Sequence, residues 1–305
     1  MNVPKLLLSL PANYRPSDIL SFYQRDPEGV SEVVEGQSIR KGLILGGQVS
    51  CLTMNFLSGS AEVTLDCDQG EPTDLQEFEA MARRCLGLDQ DVASFENSLS
   101  TDSPLGNLVA RSSGRRVPVT ATPFEALAWA IIGQQISVSA AVSIRRRLLQ
   151  GLALRHSSGL LCFPTAAEID PLETEDLIQF GFSRSKASTL KTVCKAVLEG
   201  SLPLNRWLQE IPAKPGRSPA LSGEEIRQAL LSLKGIGPWT VDYTLLRGYG
   251  WLDGSLHGDV AVRRNLATLL GLAEYPTQEF SKQWLEQYRP WRALAAVHLW
   301  GSTVQ

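Results

Sequence analysis

Asp259 stands just before Val260 to Leu270 (V-A-V-R-R-N-L-A-T-L-L), a run whose apolar spacing predicts a helix. That puts its carboxylate at a helix N-cap, where backbone N–H groups favour the charged form. A carboxylate so fixed can stabilise positive charge building on a reacting carbon, or it can be a plain cap. Trp239 and Tyr243 are four residues apart and share a helical face, a spacing that suits either a flat-ring wall or ordinary core. Electron-rich rings attract a cation by roughly 0.5–2 kcal/mol. His257, two residues before Asp259, can donate a proton or touch an anion, and it equally reads as a loop histidine without a role.

Between these residues and their upstream helix lies a glycine turn. Glu224 to Ser232 places Ile226, Leu230 and Leu233 at helical spacing, Gly235 and Gly237 open the backbone, and Pro238 suits the first position of the next helix. A turn of this kind at a helix N-terminus presents free N–H groups and the positive end of the dipole, a cradle for phosphate that ignores base sequence. Ile236 between the glycines can bury itself and stiffen the turn, and Lys234 adds a cation beside it. Carbonyls of Leu231, Leu233 and Ile236 can hold a monovalent cation against the phosphate. Taken alone, Gly-x-Gly also fits an ordinary turn between helices.

The elements that must position these groups follow from pattern. Thr122-Pro123 with Glu125 is a helix start, and the following apolar stretch predicts a buried helix interrupted near Gly133 and a second one running to Leu149. Gln134 and Gln135 at that interruption are polar in apolar surroundings, and we expect them at a ligand-facing surface. Residues 31–67 alternate in the manner of an antiparallel sheet, with Leu57-Ser-Gly-Ser60 as a turn; Ser17 or Asp18 caps a short helix, and Pro72 to Leu86 carries one apolar stripe. Residues 97–119 are rich in Ser, Gly and Pro, so the boundary falls there: an α+β domain over 1–110, with no catalytic constellation, and a helical domain over 111–305. Ile211 to Pro219 reads as an exposed loop, Trp284 to Val304 as the closing helix, and His298 as core.

The whole string from Leu233 to Asp259 resembles the hairpin of the helix-hairpin-helix DNA glycosylases: leucine, any residue, Gly-Ile-Gly, a helix, then an aspartate about twenty residues on, here twenty-two after Gly237. Bifunctional members of that superfamily carry a lysine two residues after the second glycine, where this chain has Trp239, so the resemblance implies a monofunctional enzyme. F-E-A-L-A-W-A-I-I-G-Q-Q-I-S-V, L-C-F-P-T and P-W-R-A-L-A-A-V-H-L-W look most like the AlkA-type, alkylated-base (3-methyladenine) branch. That resemblance implies a mainly α protein: an N-terminal α+β domain, then two helical lobes with the site between them. It assigns Asp259 the catalytic carboxylate, Trp239, Tyr243 and Trp300 the base pocket, Arg292 a supporting place, and Lys234, Gly235, Ile236, Gly237, Gln134 and Gln135 the DNA contact. The chain departs from the family pattern in Gly258 for an acid, Gln135 for a leucine wedge, which leaves wedging to Ile136, and Lys234 for a proline.

What this implies chemically is hydrolysis of the bond between base and deoxyribose. An alkylated purine is cationic and leaves readily, the carboxylate stabilises the sugar cation, and the base must leave the duplex to be reached. The implied partner is double-stranded DNA holding alkylated bases, bound by a monomer.

Composition fits this reading. The net charge of −3 hides 7 Lys+Arg against 16 Asp+Glu in residues 1–110 and 22 against 16 in residues 111–305, so the basic segment holds the hairpin. Five scattered cysteines without a C-x-x-C pair indicate neither a disulfide framework nor zinc, and the four-cysteine iron–sulfur cluster of some superfamily members is absent from the pattern. No cofactor is expected beyond the hairpin cation. No apolar run spans a bilayer and Met1 to Leu10 lacks a cleavage site, so the expectation is a cytoplasmic protein.

Overall fold

Two glycines with left-handed backbone, Gly46 (φ 58) and Gly47 (φ 77), let the chain reverse tightly between β3 (Ser38–Leu45) and β4 (Gln48–Leu57), and Gly59 (φ 71) does so between β4 and β5 (Ser60–Cys67). With β1 (Lys5–Ser9) and β2 (Glu32–Glu35) the strands form a five-stranded antiparallel sheet in the order β1-β5-β4-β3-β2. This computed structural model describes residues 3–69, 74–210 and 223–301. The loop expected at Ile211 to Pro219 lies outside the described residues.

One face of the sheet is apolar and buried, while Thr53, Asn55, Glu62 and Thr64 on the other stay half-exposed. Leu52, Met54, Phe56, Val63 and Leu65 face a core completed by α1 (Pro16–Tyr23) and α2 (Leu75–Cys85). Across the other face runs Leu161-Cys162-Phe163: Leu161 donates its N–H to the Val30 carbonyl at 2.8 Å and Phe163 to the Gly42 carbonyl at 3.3 Å. Gly42 is required here, because a Cβ would stand 2.4 Å from the Leu161 carbonyl oxygen. The first helix is not capped by Ser17 or Asp18. Its N-cap is Arg15, Pro16 takes the first turn, and Asp18 pairs with the Arg15 guanidinium at 3.0 Å.

Helices make up the rest: α3 (Val92–Ser98), α4 (Pro104–Ala110), α5 (Pro123–Gly133), α6 (Val138–Leu152), α7 (Ala166–Ile169), α8 (Thr174–Gln179), α9 (Arg184–Leu198), α10 (Leu204–Glu210), α11 (Gly223–Leu231), α12 (Pro238–Tyr249), α13 (Val260–Leu270), α14 (Gln278–Glu286) and α15 (Arg292–Trp300). α5 is buried along its length and packs against α12, so it is the centre of the helical core. The helical core also takes Val92, Phe95, Leu105 and Val109, which precede residue 111. Trp284 to Val304 is not one helix: α14 and α15 are separated around the cis Arg289-Pro290 bond, as a proline within a helical run demands. Sheet and helices are tied by a buried ionic cluster, in which Lys41 donates to Glu32 at 2.6 Å and to Glu125 at 2.5 Å while Arg145 donates to Glu32 at 3.1 Å. Among the described residues, no helix is long and apolar enough to cross a membrane, and all five cysteines are free thiols.

Candidate active site

The hairpin between α11 and α12 closes through an Ile236 N–H to Leu233 carbonyl bond of 3.1 Å. Gly235 sits at φ 88, and a Cβ on it would stand 2.0 Å from Thr189 Oγ1 on α9, so only glycine fits. Ile236 is buried and plugs the turn, Lys234 and Gly235 are exposed, and Gly237 is the N-cap of α12 with open space before it. This leaves backbone N–H groups at the start of α12 free to meet an anion. The turn between α5 and α6 docks onto the hairpin through Gln134, whose Nε2 donates to the Gly235 carbonyl at 3.0 Å and to Thr240 Oγ1 at 2.9 Å. Gln134 thus points inward as a strut. Gln135 is exposed at φ 57 on the tip, followed by the exposed Ile136 and Val138.

Asp259 is the N-cap of α13, as its position before the helical run requires. One carboxylate oxygen, Oδ1, accepts from the N–H groups of Ala261 at 2.9 Å and Val262 at 3.1 Å and from Trp300 Nε1 at 3.0 Å. The other, Oδ2, accepts from Trp239 Nε1 at 2.8 Å. Four N–H donors from three helices therefore converge on one half-buried carboxylate, and two of them are indoles forty-one and twenty residues away in sequence. Arg292 does not reach Asp259. It is buried beside Asp253, donating to the carboxylate at 2.9 Å and to the backbone carbonyl at 2.6 Å, and so holds the beginning of the loop that ends in Asp259.

Around the carboxylate the rings line up: Trp239 and Tyr243 have centroids 5.3 Å apart, Tyr243 and Trp300 6.3 Å. The sequence pattern did not reveal what backs them. The Arg247 guanidinium carbon lies 5.7 Å from the Trp300 ring and 4.6 Å from Phe22, and the Arg25 guanidinium carbon lies 3.8 Å from Phe22 and 4.7 Å from Trp129. Phe22 and Arg25 come from the N-terminal domain, so that domain does contribute to the ring cluster. A positive residue in the last turn of a helix reads as a dipole partner, and only the fold shows that Arg247 is packed between rings.

Burial lowers the Arg247 guanidinium to about 10, which leaves it charged at neutral pH. Burial pushes Asp242, also on α12, up to about 7, against the pull of Arg227 at 3.4 Å. His257 is lowered by burial and its Nδ1 pairs with Ser255 Oγ at 2.9 Å, so it is neutral at pH 7 and already engaged. His298 is pushed down to about 3 by burial and pairs with Ser112 at 3.0 Å, a core histidine.

Two family models match this architecture in tandem: the AlkA N-terminal domain over residues 5–122 and the HhH-GPD superfamily base excision DNA repair protein over residues 128–290. The chain belongs to the HhH-GPD superfamily of base excision DNA repair proteins. Among relatives of this glycosylase, DNA-3-methyladenine glycosylase 2 of Escherichia coli (strain K12) is 28% identical over 226 residues, which is 73% of each chain. The 3-methyladenine DNA-glycosylase from Archaeoglobus fulgidus superposes with a TM-score of 0.76 at 22% identity, covering 98% of this chain and 100% of that one. The Clostridium acetobutylicum 8-oxoguanine glycosylase/lyase bound to double-stranded DNA shares the fold as well, with a TM-score of 0.71 at 16% identity, over 98% of this chain and 96% of that one. The fold thus hosts more than one chemistry, and the site residues of this HhH-GPD glycosylase must distinguish among them.

Proposed function

We propose that this protein is a monofunctional DNA glycosylase that extrudes alkylated bases of the 3-methyladenine and 7-methylguanine type from duplex DNA and releases them by hydrolysis. The observation that carries this reading is the Asp259 carboxylate held by two indole donors, with Tyr243 bridging the rings that supply them. In the reaction the bond from C1′ to the base nitrogen breaks and the electron pair leaves with the base. A methylated, cationic base departs neutral, the sugar carries the positive charge, and Asp259 stabilises it and orients the water that adds to C1′ and releases a proton to solvent. Trp239, Tyr243 and Trp300 form the slot for the flat base. The N–H groups at the start of α12 and Lys234 grip a phosphate, and Gln135 and Ile136 enter the gap left by the base. Arg292 and Gln134 act through the loop and the turn they hold.

Support for the monofunctional reading comes from position 239, which is tryptophan where an amine nucleophile would be needed. A monovalent cation at the hairpin would take the carbonyls of Leu231, Leu233 and Ile236. The Leu233 carbonyl already accepts one N–H and has a second lone pair for it. Its role would be to screen the phosphate.

The test is incubation with methylated duplex DNA. Free methylated purines seen by chromatography, with strand breaks only after alkali, support the reading. Unchanged DNA despite tight binding would reduce the protein to a DNA-binding module, and strand breaks without alkali would indicate a lyase.

A further inference from the structure

One ring of the slot, Trp300, already has a guanidinium over it. Trp129, Arg25, Phe22, Arg247 and Trp300 alternate as ring and guanidinium, with centroid distances of 4.7, 3.8, 4.6 and 5.7 Å along the series. Trp300 at its end donates to Asp259 at 3.0 Å, so the Arg247 charge is one ring away from the carboxylate. Arg247 is held from behind by a 3.0 Å bond from Nη1 to the Pro118 carbonyl, and its Nε is buried without an acceptor. Arg25 is fixed by a 2.8 Å bond from Nε to the Phe22 carbonyl. Among the described residues, no carboxylate forms an ion pair with either arginine. Two guanidinium cations thus back a ring cluster that holds one carboxylate, and of the two Arg25 also feels the buried Glu32 carboxylate.

That charge has a use when the base is neutral. A neutral purine leaves with the electron pair of the broken C1′–N bond and carries a full negative charge until water protonates it. A cationic methylated purine leaves uncharged and gains nothing from a nearby cation. We propose that Arg247 is a specificity-determining residue that extends this site to neutral purines, by stabilising the negative charge that builds on the departing ring. Arg25, one ring further back, reinforces it through Phe22. The inference rests on the glycosylase reading above. Two unit charges about 10 Å apart at an effective dielectric constant of about 20 give discrimination on the order of tenfold.

The experiment measures single-turnover base release from two duplexes, one holding 7-methylguanine and one holding hypoxanthine, a neutral purine with a carbonyl. Arg247→Gln should shift the ratio of hypoxanthine to 7-methylguanine release about tenfold toward 7-methylguanine. Arg247→Lys, which keeps the charge, should retain most of the wild-type ratio, and Arg25→Gln should shift it in the same direction by less. Equal effects of Arg247→Gln on both bases, or the same ratio for the Lys and Gln variants, would show a merely structural residue and overturn the inference. Should Arg247→Gln not fold, an unchanged ratio in Arg25→Gln likewise overturns it. Wild-type protein that releases 7-methylguanine and no hypoxanthine overturns the inference and leaves the glycosylase reading intact. Release of neither base removes both.

Discussion

Replacing Trp239 by Phe deletes the indole N–H that donates to Asp259 Oδ2 at 2.8 Å and keeps an aromatic face toward Tyr243. Replacing Trp300 by Phe deletes the 3.0 Å bond to Oδ1, where Ala261 and Val262 still donate. A hydrogen bond to a charged group contributes about 1.5–3 kcal/mol, which is roughly 10- to 150-fold in rate when the bond fixes a reacting group. Oδ2 loses its protein donor in the first variant, while Oδ1 keeps two in the second. Trp239→Phe should therefore slow single-turnover release of 7-methylguanine by at least tenfold, and Trp300→Phe by less. Binding to an abasic duplex and thermal unfolding, measured alongside, separate loss of the carboxylate's position from loss of affinity or fold. An equal or larger effect of Trp300→Phe, with both variants folded, would refute the claim that the donor on Oδ2 sets the carboxylate.

Two further outcomes follow from the geometry. Gly235→Ala should lower the melting temperature, since the backbone at φ 88 and the 2.0 Å approach to Thr189 leave no room for a Cβ; Gly237→Ala, with open space around it, should leave the melting temperature unchanged and weaken binding to undamaged duplex. Asp242 is raised to about 7 by burial, so the unfolded chain releases this proton first, and folded stability falls as pH rises from about 4 to 7. Asp242→Asn should then stabilise the protein by roughly 4 kcal/mol at pH 8 and hardly at all near pH 4, as read by urea unfolding at the two values.

Local signals carried the hairpin and the carboxylate. Gly235, Gly237 and Pro238 each meet a backbone requirement within a few residues, and Asp259 before an apolar helical run reads as its N-cap. Contacts spanning the chain left no such trace. Phe22, Arg25, Trp129, Arg247 and Trp300 meet across about 280 residues, and each alone reads as helix surface or core. Gln134 was legible as an anomaly, though its direction was not, because the acceptor is the Gly235 carbonyl 101 residues away. Pro290 gave the signal for the break between α14 and α15 that the apolar pattern of Trp291, Leu294 and Val297 obscured. Lys41, in a strand, owes its burial to Glu32 and Glu125, and only the second domain supplies Glu125.

The account stands on the charge of Asp259. Asp259→Asn keeps an oxygen for Ala261 and Val262, so α13 remains capped, and it removes the negative charge that faces the sugar. A unit charge at about 4 Å and an effective dielectric constant of about 20 is worth about 4 kcal/mol, close to a thousandfold in rate. Single-turnover release of 7-methylguanine by Asp259→Asn should fall by that order while affinity for the methylated duplex stays within a few-fold of wild type. Release at the wild-type rate by a folded Asp259→Asn protein would contradict the assignment of this carboxylate.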